Sequence, residues 1–600
     1  MKTRRQFLTG VPLGLLGAAA VGARAGADPR DEAKPVPGAA PAFNTAPAAG
    51  PAVTDATFAE AEKLVQVTLT PAQRQMAGAN WRTSMAGLLE RRTGPRKVML
   101  EEALAPATVW NPVLPGHRAG PARHRFQPSP AVPGPLPARD EDIAYATVTQ
   151  LGSWIRTRQL TSERLTKLYL DRIKRFDSRL RCIITLLDEP ALKQARQADS
   201  EIAAGKYRGP LHGIPWGAKD LLDTAGIRTT YGAAPFRDRV PVENAAVVRR
   251  LDDAGAVLLA KLSMGALALN DIWFGGQTMN PWLPEEGSGG SSAGPGAATA
   301  AGLVAFAIGS ETQGSIIDPA MRCGVTGLRP TYGRVPRTGA MTLCWSLDKL
   351  GPMARAVEDT MLVLRAIAGA DAGDVASLPV PLDFNARAPV KGLKVGYFPA
   401  WMQEPPATEI DRAALQTLRD LGLVAEEISL PDWPYDSLNL ILFAEAAAAF
   451  EALTLSGEAD ALTVQSADAW PNLFRESRFL SAVDFVQADR LRRKVAEQMA
   501  RVMSEVDLLL VPSLRDEMLI LSNFTGQPAL TLRAGFVEVS QARSDWAPDS
   551  ARPLPHFSPP RRVPYGVTLI GRLFEEGTIA GVGLALQRAL QVGHERPPGF

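Results

Sequence analysis

Two short segments combine serine with glycine in a way that could do nucleophilic chemistry. The first, GSGGSSAGPG at residues 287–296, contains Ser291, and the second, GSETQGSIIDPA at residues 309–320, contains Ser315, 24 positions later. Glycine-bearing turns bring backbone N–H groups close to a ligand. Taken alone, the first segment is more typical of a linker followed by an alanine-rich core helix.

Histidine usage does not favour a Ser-His-Asp arrangement. Four of the five histidines lie in proline-rich, linker-like or terminal contexts, and we expect the fifth, His212, to order a loop. The Gly-x-Ser-x-Gly pattern of α/β-hydrolases is met only loosely, because Ala293 stands where the last glycine belongs. The remaining histidines are His117, His124, His556 and His594.

Further motifs in a consistent order extend the pattern. They are LHGIPWGAKD at 211–220, NPW at 280–282, CGVTGLRPTYGRV at 323–335, SLDKLGP at 346–352 and FTGQPA at 524–529. With the two serine segments, these motifs resemble the amidase signature family over most of residues 140–595. The resemblance implies a large mixed central β-sheet covered by α-helices, an α/β fold, and hydrolysis of a carboxamide C–N bond.

The resemblance assigns catalytic roles to three residues. Ser315 is the expected nucleophile, Ser291 the bridging serine that follows a cis peptide bond in this family, and Lys219 the base that receives the proton through Ser291. A serine hydroxyl needs an adjacent proton acceptor, and lysine can accept only if burial or positive neighbours lower its pKa. The oxyanion would be bound by the backbone N–H groups of the turn at Thr312, Gln313 and Gly314.

This chain departs from the family pattern at two positions of the second segment. Gln313 stands where many members have glycine, and Ile317 where many have arginine. Gln313 can still offer its backbone N–H, whereas Ile317 removes a possible guanidinium anchor. Ser292, Trp273 and Phe274 are candidate substrate contacts, although aromatic residues in such a context more often belong to the hydrophobic core.

The elements around these motifs predict an α/β domain. Thr161 and Ser162 can cap a helix with one apolar stripe from Leu165 to Phe176. β-rich runs at 256–260 and 393–397 alternate with helical stretches such as 356–367. Such alternation is typical of a central sheet covered by helices.

The amino-terminal region has a different composition. Arg4 and Arg5 precede an apolar run, which resembles a twin-arginine export signal and predicts a periplasmic or secreted protein. Residues 56–110 contain helical spacing that fits a generic hairpin or the helical partner protein of transfer-RNA-dependent amidotransferases. The expected organisation is a signal at 1–27, a Pro/Ala-rich leader at 28–55, a helical extension at 56–110, a Pro-rich linker at 111–139 and the amidase domain at 140–600.

The composition indicates which kinds of partner this protein is expected to bind. The formal net charge is +2, from 65 basic and 63 acidic residues, which does not favour a nucleic acid partner. No metal-ligand spacing occurs, the expected mechanism needs no cofactor, and no stretch after the signal predicts a membrane span. The family resemblance implies a small-molecule or peptide amide substrate. Two alternatives remain: a component of an amidotransferase that works on charged transfer RNA, and a catalytically silent binding protein on the same scaffold.

Overall fold

The computed structural model describes residues 48–85, 93–94, 108–130, 134–546 and 553–600. The predicted signal at 1–27 and most of the predicted leader lie outside these ranges. The described residues fall into two compact units, divided at residue 100.

The smaller unit contains two helices, α1 (Asp55–Val65) and α2 (Pro71–Ser84). Thr54 and Thr70 cap their first turns with side-chain hydrogen bonds, and Pro71 occupies the first helical position, where no N–H is needed. An ion pair between Arg74 and Glu62 at 2.8 Å and an edge-to-face contact between Phe58 and Trp81 join the helices.

The larger unit contains helices throughout its length. In chain order they are α3 (Asp140–Ala144), α4 (Val148–Arg156), α5 (Ser162–Leu180), α6 (Asp188–Ala203), α7 (Ala246–Asp253), α8 (Ala293–Ala300), α9 (Ile317–Cys323), α10 (Val357–Ile367), α11 (Glu409–Asp420), α12 (Asn439–Ala449), α13 (Glu451–Ser456), α14 (Trp470–Glu476), α15 (Ala482–Glu505), α16 (Asp516–Phe524) and α17 (Glu576–Leu590).

The strands of the larger unit form one large sheet and three small two-stranded pairs. In chain order they are β1 (Arg125–Gln127), β2 (Ile183–Leu186), β3 (Pro215–Lys219), β4 (Val257–Leu262), β5 (Ile272–Trp273), β6 (Gly276–Gln277), β7 (Met279–Asn280), β8 (Leu283–Gly287), β9 (Phe306–Glu311), β10 (Thr326–Arg329), β11 (Lys349–Ala354), β12 (Asp383–Asn385), β13 (Lys394–Tyr397), β14 (Val424–Glu427), β15 (Leu508–Pro512), β16 (Ala529–Gln541) and β17 (His556–Gly571).

The large sheet has the order β14-β13-β15-β17-β16-β10-β11-β9-β3-β4-β2 and mixes parallel with antiparallel pairs. Strands β3 and β9 run parallel, with Trp216 opposite Phe306, and β11 runs antiparallel to β9, with Lys349 opposite Glu311. The ends of β3 and β9 and the start of β11 therefore meet at one edge of the sheet.

The fold class predicted from the sequence is confirmed, and so are several individual elements. Thr161 caps α5, and the predicted stripe from Leu165 to Phe176 is buried. Strand β13 and helix α10 lie within the predicted ranges, and β4 begins one residue later and ends two residues later than the predicted run at 256–260.

The proline-rich segment expected as a linker contributes structure to the larger unit. Its residues Arg125–Gln127 form strand β1, which pairs in parallel with β12. Arg125 forms an ion pair with Asp383 at 2.9 Å, and Phe126 packs on Phe384. The high proline content predicts little regular structure in this segment. It gives no sign that residues between the prolines, such as Arg125, pair with residues 258 positions away.

Candidate active site

Lys219 lies at the carboxyl end of β3 and is fully buried. Its Nζ is 2.8 Å from the Oγ of Ser291, 3.1 Å from the Oγ of Ser292 and 2.9 Å from the Oγ of Ser310. Three hydroxyl groups from three chain positions thus surround one amine.

Burial lowers the pKa of Lys219 well below its ordinary value, because a charged amine loses its hydration inside the protein. The carboxylates of Asp348 and Glu311 oppose this shift without reversing its direction. Burial therefore shifts the Lys219 equilibrium towards the neutral amine, the form that can accept a proton.

The first serine segment forms a tight loop before helix α8. The Gly290–Ser291 peptide bond is cis, and the N–H of Gly290 donates a 2.8 Å hydrogen bond to the Asp318 carboxylate. A Cβ atom at position 290 would lie 1.8 Å from the carbonyl oxygen of Asn270, so glycine is required there. The glycines of this segment thus serve a close backbone approach.

The two adjacent serines have different environments. The hydroxyl of Ser292 donates to the carbonyl of Ser310 at 3.0 Å and accepts from its N–H at 3.1 Å, which ties the loop to β9. The Oγ of Ser291 has Lys219 Nζ as its hydrogen-bond partner among the described residues. This difference favours Ser291 as the relay and Ser292 as a residue that orders the loop.

Glu311, the last residue of β9, braces the turn that carries Ser315. One of its carboxylate oxygens accepts the N–H groups of Ile316 and Ile317 at 2.8 and 3.0 Å. The other accepts a 2.7 Å hydrogen bond from Arg329. Burial alone would raise the pKa of Glu311, but Arg329 and the other donors lower it to about 2, so the carboxylate stays charged.

The turn before Ser315 offers unused donors. The backbone N–H groups of Gln313 and Gly314 form no hydrogen bond with another described residue, and Gly314 has a φ of 86°. Backbone N–H groups without a partner are rare inside proteins and suit the binding of an anion. The Oε1 atom of Gln313 is also buried and has no partner among the described residues.

A cavity of about 350 Å³ borders the relay. Ser310 and Thr312 line it, and Asp348 lies in its wall. Thr312 donates from its hydroxyl to Asp348 at 2.7 Å. The cavity therefore reaches the turn that leads to Ser315.

The remaining sequence candidates lie elsewhere. Trp273 is buried, donates from Nε1 to the carbonyl of Arg181 at 3.3 Å and packs edge-to-face on Phe274. Neither aromatic residue lines the cavity beside the relay. His212 accepts the N–H of Arg208 at its Nδ1 and contacts Glu201.

Ile317 occupies an apolar position. Its side chain is buried at the start of α9, next to Val511 and Met518, which line the same small cavity. The place where many family members carry arginine is thus filled here by hydrophobic packing.

The sequence reasoning did not identify Ser310, Glu311, Arg329 and Asp318 as parts of the site. All four lie inside the quoted motifs, so position within a motif was the available signal. Buried polar residues next to proposed catalytic residues require partners, and this rule could have selected them.

The described ranges hold no group of three or more His, Cys, Asp or Glu side chains placed to bind a metal ion. Cys182, Cys323 and Cys344 are buried free thiols. No helix within these ranges combines the length and apolar composition needed to cross a bilayer.

Comparison with known proteins gives consistent matches. Residues 164–579 match the family model described as Amidase. The chain is 36% identical over 508 residues to a glutamyl-tRNA(Gln) amidotransferase subunit of Moorella thermoacetica, covering 76% of this chain and 99% of that protein. It is 36% identical over 474 residues to "Putative amidase AmiD" of Mycobacterium tuberculosis, covering 77% and 98%.

Among solved structures, the native peptide amidase of Stenotrophomonas maltophilia superposes with a TM-score of 0.64 at 29% sequence identity. The match covers 76% of this chain and 98% of the peptide amidase.

Proposed function

This chain belongs to the amidase family and is a hydrolase that acts on amide bonds, and from this premise we propose that Ser315, Ser291 and Lys219 form its catalytic unit. The observation that carries the proposal is the 2.8 Å contact between Lys219 Nζ and Ser291 Oγ, inside a fully buried environment. The products are a carboxylate and ammonia or an amine.

Acylation begins with proton transfer from Ser315 through Ser291 to neutral Lys219. The Ser315 Oγ then attacks the carboxamide carbon and forms a tetrahedral intermediate. Collapse of this intermediate breaks the C–N bond, and the proton held on Lys219 returns through Ser291 to the leaving nitrogen. The low pKa of Lys219 supports this role, since an amine of ordinary pKa would already be protonated.

The developing oxyanion would be bound by the backbone N–H groups of the turn at Thr312, Gln313 and Gly314. The absence of hydrogen bonds from Gln313 and Gly314 to other described residues supports this assignment. Each preorganised donor contributes roughly 3 kcal/mol to stabilisation of the transition state. Water then attacks the acyl-enzyme in the reverse proton sequence and releases the carboxylate.

Hydrolysis is favoured over an amidotransferase role on charged transfer RNA. The matches to the peptide amidase and to the amidotransferase relative cover similar shares of this chain, so the family match does not separate the two roles. The net charge of +2 offers no general attraction for a polyanion. Arg4 and Arg5 additionally support export away from the cytosol, where transfer RNA is found.

A fluorophosphonate probe tests the catalytic assignment directly. Protein beginning at about residue 28 should become covalently labelled, and peptide mass spectrometry should place the label on Ser315. A Ser315→Ala variant that folds normally should not be labelled. Labelling at another serine, or equal labelling of the variant, would reject the assignment.

A further inference from the structure

The cavity beside the relay adjoins the proposed catalytic unit through two of its lining residues. Ser310, which lines it, contacts Lys219 Nζ through its hydroxyl at 2.9 Å. Thr312, which also lines it, opens the turn that ends at Ser315. A substrate whose carboxamide lies at Ser315 can therefore extend its acyl substituent into this cavity.

Most of the wall is apolar. The side chains come from separate parts of the chain, so no single loop defines the cavity. They include Leu221, Ala268, Met341, Leu343 and Leu350. A dry apolar cavity of about 150 Å³ is already large enough to bind benzene, so this cavity, at about 350 Å³, can accept a branched or aromatic group.

The charged groups of the wall already have partners. Arg337 forms a two-pronged ion pair with Asp374 at 2.9 and 3.0 Å. Asp348 accepts three hydrogen bonds, from Thr312 and from the N–H groups of Leu343 and Cys344. A substrate carboxylate would lose its hydration here and find Arg337 already paired with Asp374. A cationic group would find only Asp348, whose oxygens are already hydrogen-bonded and whose pKa burial raises, so binding of either charge is disfavoured.

Trp345, one of the residues that line the cavity, carries a polar group without a partner among the described residues. The indole Nε1 of Trp345 is buried and forms no hydrogen bond with another described residue. The backbone of Trp345 is held firmly, because its carbonyl oxygen accepts from Arg337 at 2.5 Å and from Tyr332 at 2.7 Å. A buried indole N–H normally has an acceptor, and a bound molecule could supply one.

We propose that this cavity binds the acyl substituent of the substrate, and that the preferred substrate is a carboxamide with an uncharged, mainly apolar acyl group carrying one neutral hydrogen-bond acceptor for Trp345. This inference rests on the proposed catalytic role of Ser315. It adds the substrate class to that role and assigns specificity to the side chains of the cavity wall.

The first test compares primary amides of matched length. Hexanamide should be hydrolysed with a kcat/KM at least about 10-fold higher than glutaramate, which carries a carboxylate at the end of its acyl chain. The 4-oxo and 5-oxo analogues of hexanamide add a neutral hydrogen-bond acceptor. At least one of them should be hydrolysed with a higher kcat/KM than hexanamide. Equal or better hydrolysis of glutaramate would overturn the proposed preference for an uncharged acyl group.

Two variants test the cavity wall. Ala340→Phe adds bulk at a residue that lines the cavity and should lower the kcat/KM ratio of hexanamide to acetamide by about 10-fold or more. Trp345→Phe keeps an aromatic wall but removes the N–H, so it should abolish the advantage of the oxo analogue over hexanamide. The control Ala425→Phe changes a partly buried alanine on β14, which does not line the cavity, and should leave both ratios at the wild-type value.

The outcomes separate this inference from the catalytic proposal. If fluorophosphonate labels Ser315 and amides are hydrolysed, but neither variant changes its ratio relative to Ala425→Phe, the cavity assignment is wrong and the catalytic one stands. If Ser315 is not labelled and no amide is hydrolysed, the catalytic proposal itself fails, and the substrate class fails with it. Because the readouts are ratios within one protein, a partly unfolded variant still gives a decisive result.

Discussion

The N–H of Ser292 donates a 3.1 Å hydrogen bond to the carbonyl oxygen of Ser315, so the relay loop and the nucleophile turn are joined directly through their backbones. This bond fixes the position of the two serine segments relative to each other. In the proposed mechanism we expect this bond to persist while the proton passes from the Ser315 hydroxyl to that of Ser291.

The three proposed catalytic residues should behave as one unit. Ser315→Ala should lower kcat by a factor on the order of 10⁴ or more, and Ser291→Ala and Lys219→Ala should each cost several orders of magnitude. Because one proton path passes through all three, each double variant should be little worse than its poorer parent, as steady-state kinetics would show.

Ser292→Ala is the matched control for the relay, since Ser292 bonds mainly to the backbone of Ser310. Its effect should be milder than that of Ser291→Ala. Equal and severe losses at both serines would contradict the assignment of the relay to Ser291 alone. A Ser315→Ala enzyme with near-normal amide hydrolysis would refute the mechanism.

Activity should rise with pH along a limb that reports Lys219 together with its serine partners. Burial lowers the pKa of Lys219, so the neutral, proton-accepting form is populated below the ordinary lysine value of 10.5. The apparent pKa of kcat/KM belongs to the coupled groups. It should appear in both amide hydrolysis and fluorophosphonate labelling, and a limb found only near 10.5 would contradict the role of Lys219 as base.

The carboxylate of Glu311 should make folding stability depend on acid. Its pKa falls from the ordinary 4.5 to about 2 in the folded chain. The associated stabilisation, on the order of 3 kcal/mol, is fully present above about pH 4.5 and is lost as pH falls towards about 2. Urea unfolding at several pH values should show this loss.

Glu311→Gln should remove that part of the acid dependence and lower stability at neutral pH, because Arg329 would lose its charged partner. An unchanged pH dependence in the variant would assign the acid sensitivity to other carboxylates.

Ile317→Arg should destabilise the protein, although the family resemblance makes arginine the expected residue at this position. The Ile317 side chain is buried, and its surroundings offer hydrophobic packing. We expect a loss of roughly 2–4 kcal/mol in the free energy of unfolding. Ile317→Val, the size control, should cost only about 0.5–1.5 kcal/mol. Wild-type stability of the arginine variant would mean that the guanidinium reaches solvent or an acceptor.

Export should depend on Arg4 and Arg5 specifically. Replacing both with lysine preserves the charge but removes the feature that a twin-arginine receptor reads. The double variant should accumulate in the cytoplasm in a fractionation experiment, whereas the native chain should be recovered from the periplasm. Unchanged periplasmic recovery of the variant would defeat the proposal.

The motifs, through the family they resemble, were enough to predict the fold class and to select Ser291, Ser315 and Lys219 as candidates, because each motif is local in sequence. The contacts that hold these candidate residues in place could not be predicted from the motifs. Glu311 contacts Asn523, 212 positions away, and the N–H of Gly290 finds Asp318 only after both loops have folded. Such pairings depend on strand order, which hydrophobic periodicity does not specify.

The hydrogen bonds of Asp348 affect which cavity residues can be varied in directed evolution of this enzyme. One of its oxygens holds Thr312 and the other holds the backbone of Leu343 and Cys344. Randomising the chain around Leu343 would therefore perturb turnover as well as selectivity. Libraries that vary Leu221 and Val375, which reach the same cavity from other segments, should separate the two properties and retain more active clones.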